Sequence, residues 1–178
     1  MDGILIDTSA TAAAETWLDD FAAALTSGEP ARIAVLFAVD CHWRDIIAFT
    51  WDLRTTSGAD AIATRMAAAW AGMEPRGFAV AAGRTPPRRV VRAGIDTIEA
   101  ILNFATSVGS CAGVVRLVSE GGKTRAWTLL TALDEIRGHE DPANAGATST
   151  GNEISAARTG WTGANGRWPT RIAIRRCW

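Results

Sequence analysis

The feature that most constrains this chain is a change of hydrophobic period at Pro75. Before it, apolar residues recur at helical spacing; after it, they alternate as in strands. Residues 12 to 26 place Ala14, Trp17, Leu18, Phe21 and Leu25 on one helical face, and Gly28 follows as a stop. Pro30 suits the first turn of a short second helix in which Ile33, Leu36 and Phe37 point one way. Ser57 is placed to cap a third helix, with Ile62, Met66, Trp70 and Met73 as its buried stripe. Beyond Pro75, residues 78–82, 89–92, 97–104, 112–119 and 124–133 read as strands, and Glu120 to Lys123 as a hairpin turn. Residues 41 to 47 alternate as an early strand. Helix, helix, strand, helix and then a run of antiparallel strands predicts an α+β domain with its helices on one side of a curved sheet.

Composition adds limits. In 178 residues, 48% are hydrophobic and 21% charged, which suits one soluble globular domain with a real core. The formal net charge of -1 supplies no general attraction to nucleic acid or an anionic membrane. Cys41, Cys111 and Cys177 are odd in number and far apart, which argues against a disulfide framework or zinc site and for a reducing, cytoplasmic setting. With only His42 and His139, a histidine-based metal site is not expected. The N-terminus has Asp2 and Asp7 where a secretory leader needs basic residues, and no apolar run reaches membrane-spanning length.

The chain divides at about residue 141. Residues 1–141 carry the periodic pattern, whereas 142–178 hold no Leu, Val, Phe or Met, yet include Trp161, Trp168 and Trp178. Five Arg against Glu153 make this tail basic, while the body is acidic. So little aliphatic surface cannot offset the entropy of ordering, so a disordered tail is predicted.

The chemistry concentrates in "CHWRDIIAFTWDLRTTSG", residues 41 to 58. On a strand, Cys41, Trp43, Asp45 and Ile47 share one face, and His42, Arg44 and Ile46 the other. The first set is the more apolar and is expected to face inward. A carboxylate at Asp45 enclosed by apolar side chains suits general acid or base work, with His42 as a further candidate. The structural alternative pairs Asp45 with Arg54 or Arg44. Trp43, Trp51 and Trp127 each offer an apolar wall and one indole N–H. Glu99 and Asn103 share a strand face and could form a second polar cluster. Arg84, Arg88, Arg89 and Arg92 read either as phosphate contacts or as charges protecting an edge strand from aggregation, the latter preferred.

The element order, together with "LFAVDCHWRDIIAFTWDLRTTSGADAI" at 36–62, resembles the SnoaL-like branch of the nuclear transport factor two-like superfamily. "CHWRDIIAFTWDLRT", "GRTPPRRVVRAG" at 83–94 and "RAWTLLTALDEIRGHE" at 125–140 resemble more narrowly the N-terminal extension of bacterial flavin-dependent monooxygenases. The pattern departs at Thr56, where an aromatic is expected. The resemblance implies a cone-shaped α+β fold whose pocket, walled by Trp43, Trp51, Arg54, Phe104 and Trp127, could hold a small apolar ligand. It also implies homodimers formed through the open sheet face. FAD and NADP are implied only for full-length relatives, because no G-x-G-x-x-G follows a strand here. Codon arithmetic on residues 158–178 yields a shifted frame that resembles the family's linker into its Rossmann domain, so the tail is read as a frameshift product. The tyrosines used by ketosteroid isomerase and scytalone dehydratase have no counterpart, since the chain contains no Tyr. The expectation is a binding or assembly domain without redox activity of its own. An isomerase or cyclase using Asp45, and a dimeric interaction module, are the alternatives.

Overall fold

The computed structural model describes residues 7 to 139. The 142–178 tail, Cys177 and the frameshift reading lie outside the described residues. The first helix, α1 (Thr8–Ser27), starts where the Asp7 carboxylate accepts the Ala10 N–H at 2.9 Å. It stops at Gly28, whose left-handed backbone lets its N–H reach the Leu25 carbonyl. The stripe Ala10, Ala14, Trp17, Leu18, Phe21, Ala24 and Leu25 is buried, as the helical period requires.

Helix α2 (Pro30–Ala34) is only five residues long, with Pro30 in its first turn and Ile33 buried. Leu36 and Phe37 therefore fall outside it. Phe37 opens the first strand, β1 (Phe37–Ile46), although its side chain is buried as anticipated. Leu36 uses its carbonyl twice, accepting the Trp17 indole N–H at 3.0 Å and the Ala126 N–H at 2.8 Å. That pair of bonds ties α1 and the last strand to one point.

Strand β2 (Leu53–Ser57) was not anticipated, because none of its side chains is fully buried and so it carries no alternation. Ser57 ends this strand instead of capping the next helix. α3 (Ala59–Met73) begins at Gly58 with no side-chain cap, and it buries Ile62, Ala63, Met66 and Met73, while Trp70 is half-buried against the core. Then come β3 (Arg76–Val80), β4 (Arg88–Arg92), β5 (Ile95–Ala105), β6 (Gly109–Glu120) and β7 (Lys123–Ile136). The β6–β7 turn rests on Gly121 and Gly122, both at positive φ, the geometry that a two-residue hairpin demands.

The seven strands form one sheet in the order β2-β1-β7-β6-β5-β3, with β4 also pairing to β5. All pairs are antiparallel except β1 with β7, so the early strand docks parallel beside the last. One face of the sheet carries the helices and the core; the other faces away from them. The expected fold class, α+β with N-terminal helices packed on a mostly antiparallel open sheet, is the one observed. No described helix is long and apolar enough to cross a membrane.

Candidate functional site

The alternation anticipated for residues 41 to 45 is present: Cys41, Trp43 and Asp45 are buried on the helix side, while Arg44 is exposed on the other. Ile47 does not join them. The strand ends at Ile46, and Ile47 adopts φ +51, a left-handed conformation that a β-branched residue resists. The chain turns there into the loop of residues 47–52.

Asp45 closes that loop. Its side chain, 1% exposed, accepts the Phe49 N–H at 3.1 Å and the Thr131 hydroxyl at 2.7 Å on Oδ1. Oδ2 accepts the Thr50 N–H at 2.7 Å and the Thr50 hydroxyl at 2.8 Å. The Thr131 oxygen in turn accepts the Trp43 indole N–H at 2.9 Å. Indole, hydroxyl and carboxylate thus form a relay across β1 and β7, saturated with donors as a buried polar group requires. Neither anticipated arginine joins it. Arg54 pairs with Asp52 at 3.3 Å, and Arg44 donates to the Thr55 hydroxyl at 3.1 Å, because both lie on the exposed edge formed with β2.

His42 lies on the opposite face from Asp45. Its Nδ1 is 2.8 Å from the Ser57 hydroxyl and its Nε2 is 3.5 Å from Asp40. The structure does not bring the two candidate acid-base residues together.

The five residues assigned to a pocket wall are also dispersed. Trp43 and Phe104 belong to an aromatic chain filling the space between helices and sheet. In it Trp43 meets Phe49 edge-on at 5.5 Å, Phe49 lies 5.7 Å from Phe104, and Phe104 stacks on Phe78 at 4.8 Å. Phe78 continues it to Phe21 at 5.3 Å, which stacks on Trp17 at 4.8 Å. Trp127 is half-buried at a β-bulge of β7 opposite Arg116 and Leu117. Trp51 is 64% exposed on the 47–52 loop, with Arg54 exposed beside it. Trp51 lines a groove of about 450 Å³, shared with Phe49, Thr50, Arg65, Ala68, Ala69, Gly72 and Met73. Arg65 anchors that groove by donating to Asp52 at 3.1 Å and to Thr56 at 3.1 Å, and its guanidinium sits 5.9 Å from the Trp43 ring centre. Thr56, where an aromatic was expected, is therefore an acceptor for Arg65.

The face turned away from the helices is built from three rows that cross the same strands. Asn103, Ala112, Ala132, Ile46 and Leu53 form one, and Ile101, Val114, Leu130, Arg44 and Thr55 the next. Glu99, Arg116, Thr128, His42 and Ser57 form the third. The middle of this face is apolar, with Ile46, Ile101, Val114 and Leu130 half-buried and Leu53 exposed. Glu99 and Asn103 do share this face, with Ile101 between them.

Thr131, Thr50 and Arg65 were not singled out from the sequence. Thr131 carried a usable signal, being a hydroxyl between Leu129 and Leu133 on the inward face of its strand. Arg65 carried none, because its partners Asp52 and Thr56 come from a loop and a strand that leave no periodic trace. Cys41 and Cys111 are free and buried, and burial pushes the Cys111 thiol up to about 11, so neither is a reactive thiolate.

No family model matches the chain, and no curated protein does. Among solved structures it is similar to a domain of unknown function with a cystatin-like fold from Nostoc punctiforme. That match has a TM-score of 0.53 at 13% identity, covering 73% of this chain and 80% of that one. A protein of unknown function from Mycobacterium tuberculosis matches with a TM-score of 0.49 at 12% identity, covering 68% of this chain and 74% of that one. A variant of the protein Rd1NTF2_05 matches with a TM-score of 0.48 at 9% identity, covering 71% of this chain and all of that one. Likeness at these identities concerns the fold alone, and it is the cystatin-like match that carries it.

Proposed function

We propose that this domain is an assembly and small-ligand module without redox chemistry of its own, of the kind that precedes the Rossmann domains of flavin-dependent monooxygenases. The three resembling segments at 41–55, 83–94 and 125–140 support the second half of that reading. FAD and NADP belong, on this reading, to domains other than this one. The free, buried Cys41 and Cys111 suit a reducing cytoplasm.

The observation that carries the assembly half is the apolar middle of the outer sheet face. Ile101, Val114 and Leu130 lie side by side on three adjacent strands, with Ile46 and Leu53 next to them. A contiguous apolar patch on a sheet face, rimmed by Arg44, Arg116 and Glu99, has the anatomy of an interface, and a second copy of the chain is its occupant. A small apolar ligand fits the groove at Trp51, where an exposed indole stands over the small side chains of α3.

Light scattering on the full chain over a hundredfold concentration range tests the assembly. The wild type is expected to be dimeric, and Val114→Glu with Leu130→Glu to yield a folded monomer with unchanged far-ultraviolet circular dichroism. A wild type that stays monomeric at every concentration would refute it.

A further inference from the structure

One end of the outer sheet face holds a cluster that the assembly reading uses only as part of its rim. Glu99 on β5 is flanked by Arg88 and Arg92 from the edge strand β4 and by Arg116 from β6. Its carboxylate accepts Arg116 Nε at 2.9 Å, Arg92 Nη2 at 3.0 Å, Arg92 Nε at 3.2 Å and Arg88 Nη2 at 3.2 Å. The Glu99 side chain is only 12% exposed, whereas those of Arg88, Arg92 and Arg116 are 51%, 41% and 36% exposed. The anion is at the bottom and the cations are on top.

Three guanidinium groups against one carboxylate leave a net charge of +2. Among the described residues, no other carboxylate pairs with them: the nearby Glu120 is held by Arg125 and by the Val39 N–H. Each guanidinium also keeps donors in reserve. Both terminal nitrogens of Arg116, and Nη1 of Arg88 and of Arg92, have no protein acceptor among the described residues. Arginine side chains ordinarily lose much rotamer freedom when they converge on an anion. Here Glu99 has already immobilised them, on strands of one sheet, so an arriving anion meets an assembled set of donors.

Charges that merely protect an edge strand do not need such convergence. Arg89 illustrates the contrast. It sits between Arg88 and Arg92 on β4 but points the other way, to Asp7 at 3.6 Å and Ser9 at 3.2 Å. Of the β4 arginines only Arg88 and Arg92, on the outer face, are gathered, and the third member comes from a different strand.

We propose that Arg88, Arg92 and Arg116, held in array by Glu99, form a binding site for a phosphate dianion. A tetrahedral dianion matches the net charge of +2 and takes donors from three guanidiniums at once, whereas one carboxylate is satisfied by a single fork. Ile101 and Val114 lie one row along the same face, so an apolar group esterified to that phosphate would compete there with a second copy of the chain. The site goes beyond the assembly reading and needs no second copy, although it shares Arg116 and Glu99 with the rim of that interface.

The test titrates phenyl phosphate, inorganic phosphate and benzoate into the full chain at constant ionic strength, read by calorimetry and by the ³¹P resonance. Phenyl phosphate is expected to bind at least about tenfold more tightly than benzoate. Arg92→Met and Arg116→Met each lose roughly tenfold or more, as removal of a charge-assisted hydrogen bond implies. Arg116→Lys keeps the charge but not the fork, and stays several-fold weaker than wild type. Arg44→Met removes an equal charge one row away and changes affinity less than about twofold, so it reports general electrostatics. Tighter binding of phenyl phosphate than of inorganic phosphate identifies an ester as the ligand; equal binding identifies free phosphate. The proposal is overturned if Arg44→Met and Arg116→Met weaken binding alike, if Arg116→Lys restores it in full, or if phosphate binds no better than benzoate.

Discussion

The two faces of this sheet are made by alternate residues of the same strands, yet they treat polar groups in opposite ways. On the inner face Asp45 has every acceptor position occupied, by a loop backbone and two hydroxyls, beneath a packed chain of aromatic rings. On the outer face Glu99 collects three arginines whose remaining donors have no acceptor among the described residues, beside apolar side chains that no described helix covers. Both carboxylates are largely buried, but only one of them organises groups that stay available. Saturation marks a structural role; organised, unsatisfied donors mark a surface that has something left to bind.

The comparison breaks most readily through packing. Phe104→Ala removes the ring that links Phe49 to Phe78 and is expected to cost about 3–5 kcal/mol in urea unfolding. Val114→Ala on the outer face should cost less than about 1 kcal/mol, because its side chain is only half-buried in one protomer. Equal losses would mean that the outer face contributes as much to the stability of the fold as the inner one.

A smaller effect separates the two carboxylates. Asp45→Asn replaces one acceptor oxygen with a donor facing other donors, so a loss of about 1–3 kcal/mol is expected. Amide exchange at Phe49 and Thr50 should accelerate more than at Val115 in the sheet interior. If exchange at the loop is unaltered, the Asp45 hydrogen bonds do not hold residues 47–52.

The smallest effect is the pH response of Glu99. The hydrogen bonds from Arg92, aided by Arg116 and Arg88, lower its carboxyl from the ordinary 4.5 to about 2. A depressed folded value means that its contribution is complete above about pH 4.5 and is lost as pH falls toward 2. A partly exposed ion-pair network of this kind contributes about 1 kcal/mol. Glu99→Gln should therefore flatten the acid limb of stability between those values and leave stability at neutral pH about 1 kcal/mol lower. An unchanged acid limb would show that the cluster is not formed in solution.

Much of the fold was legible because its elements are amphipathic. The α1 stripe, the strands beyond Pro75 and the Gly121–Gly122 hairpin each announce themselves through period or turn chemistry. β2 was not legible: an edge strand with no buried face has no period to read. Without it, Ser57 looks like a helix cap, and the Thr56 partner of Arg65 stays hidden. The candidate site fared unevenly for the same reason. Asp45 and Trp43 stood out as chemistry inside an apolar alternation, and their inward face is observed. Their partner Thr131 comes from a strand 86 residues away, and that contact exists only because β1 docks parallel to β7.

By itself, then, the sequence determined the α+β class, the faces of α1 and β1, and the hairpin that sets β6 against β7, since these depend on neighbours within a few residues. Only the tertiary structure decided that Trp43 and Phe104 fill a core while Trp51 stands in solvent. It also decided that Asp45 closes a loop and that Arg116 meets Arg88 and Arg92 over Glu99. Each of those outcomes depends on which strands become adjacent, a choice made by burying non-local surface, and local periodicity carries no record of it.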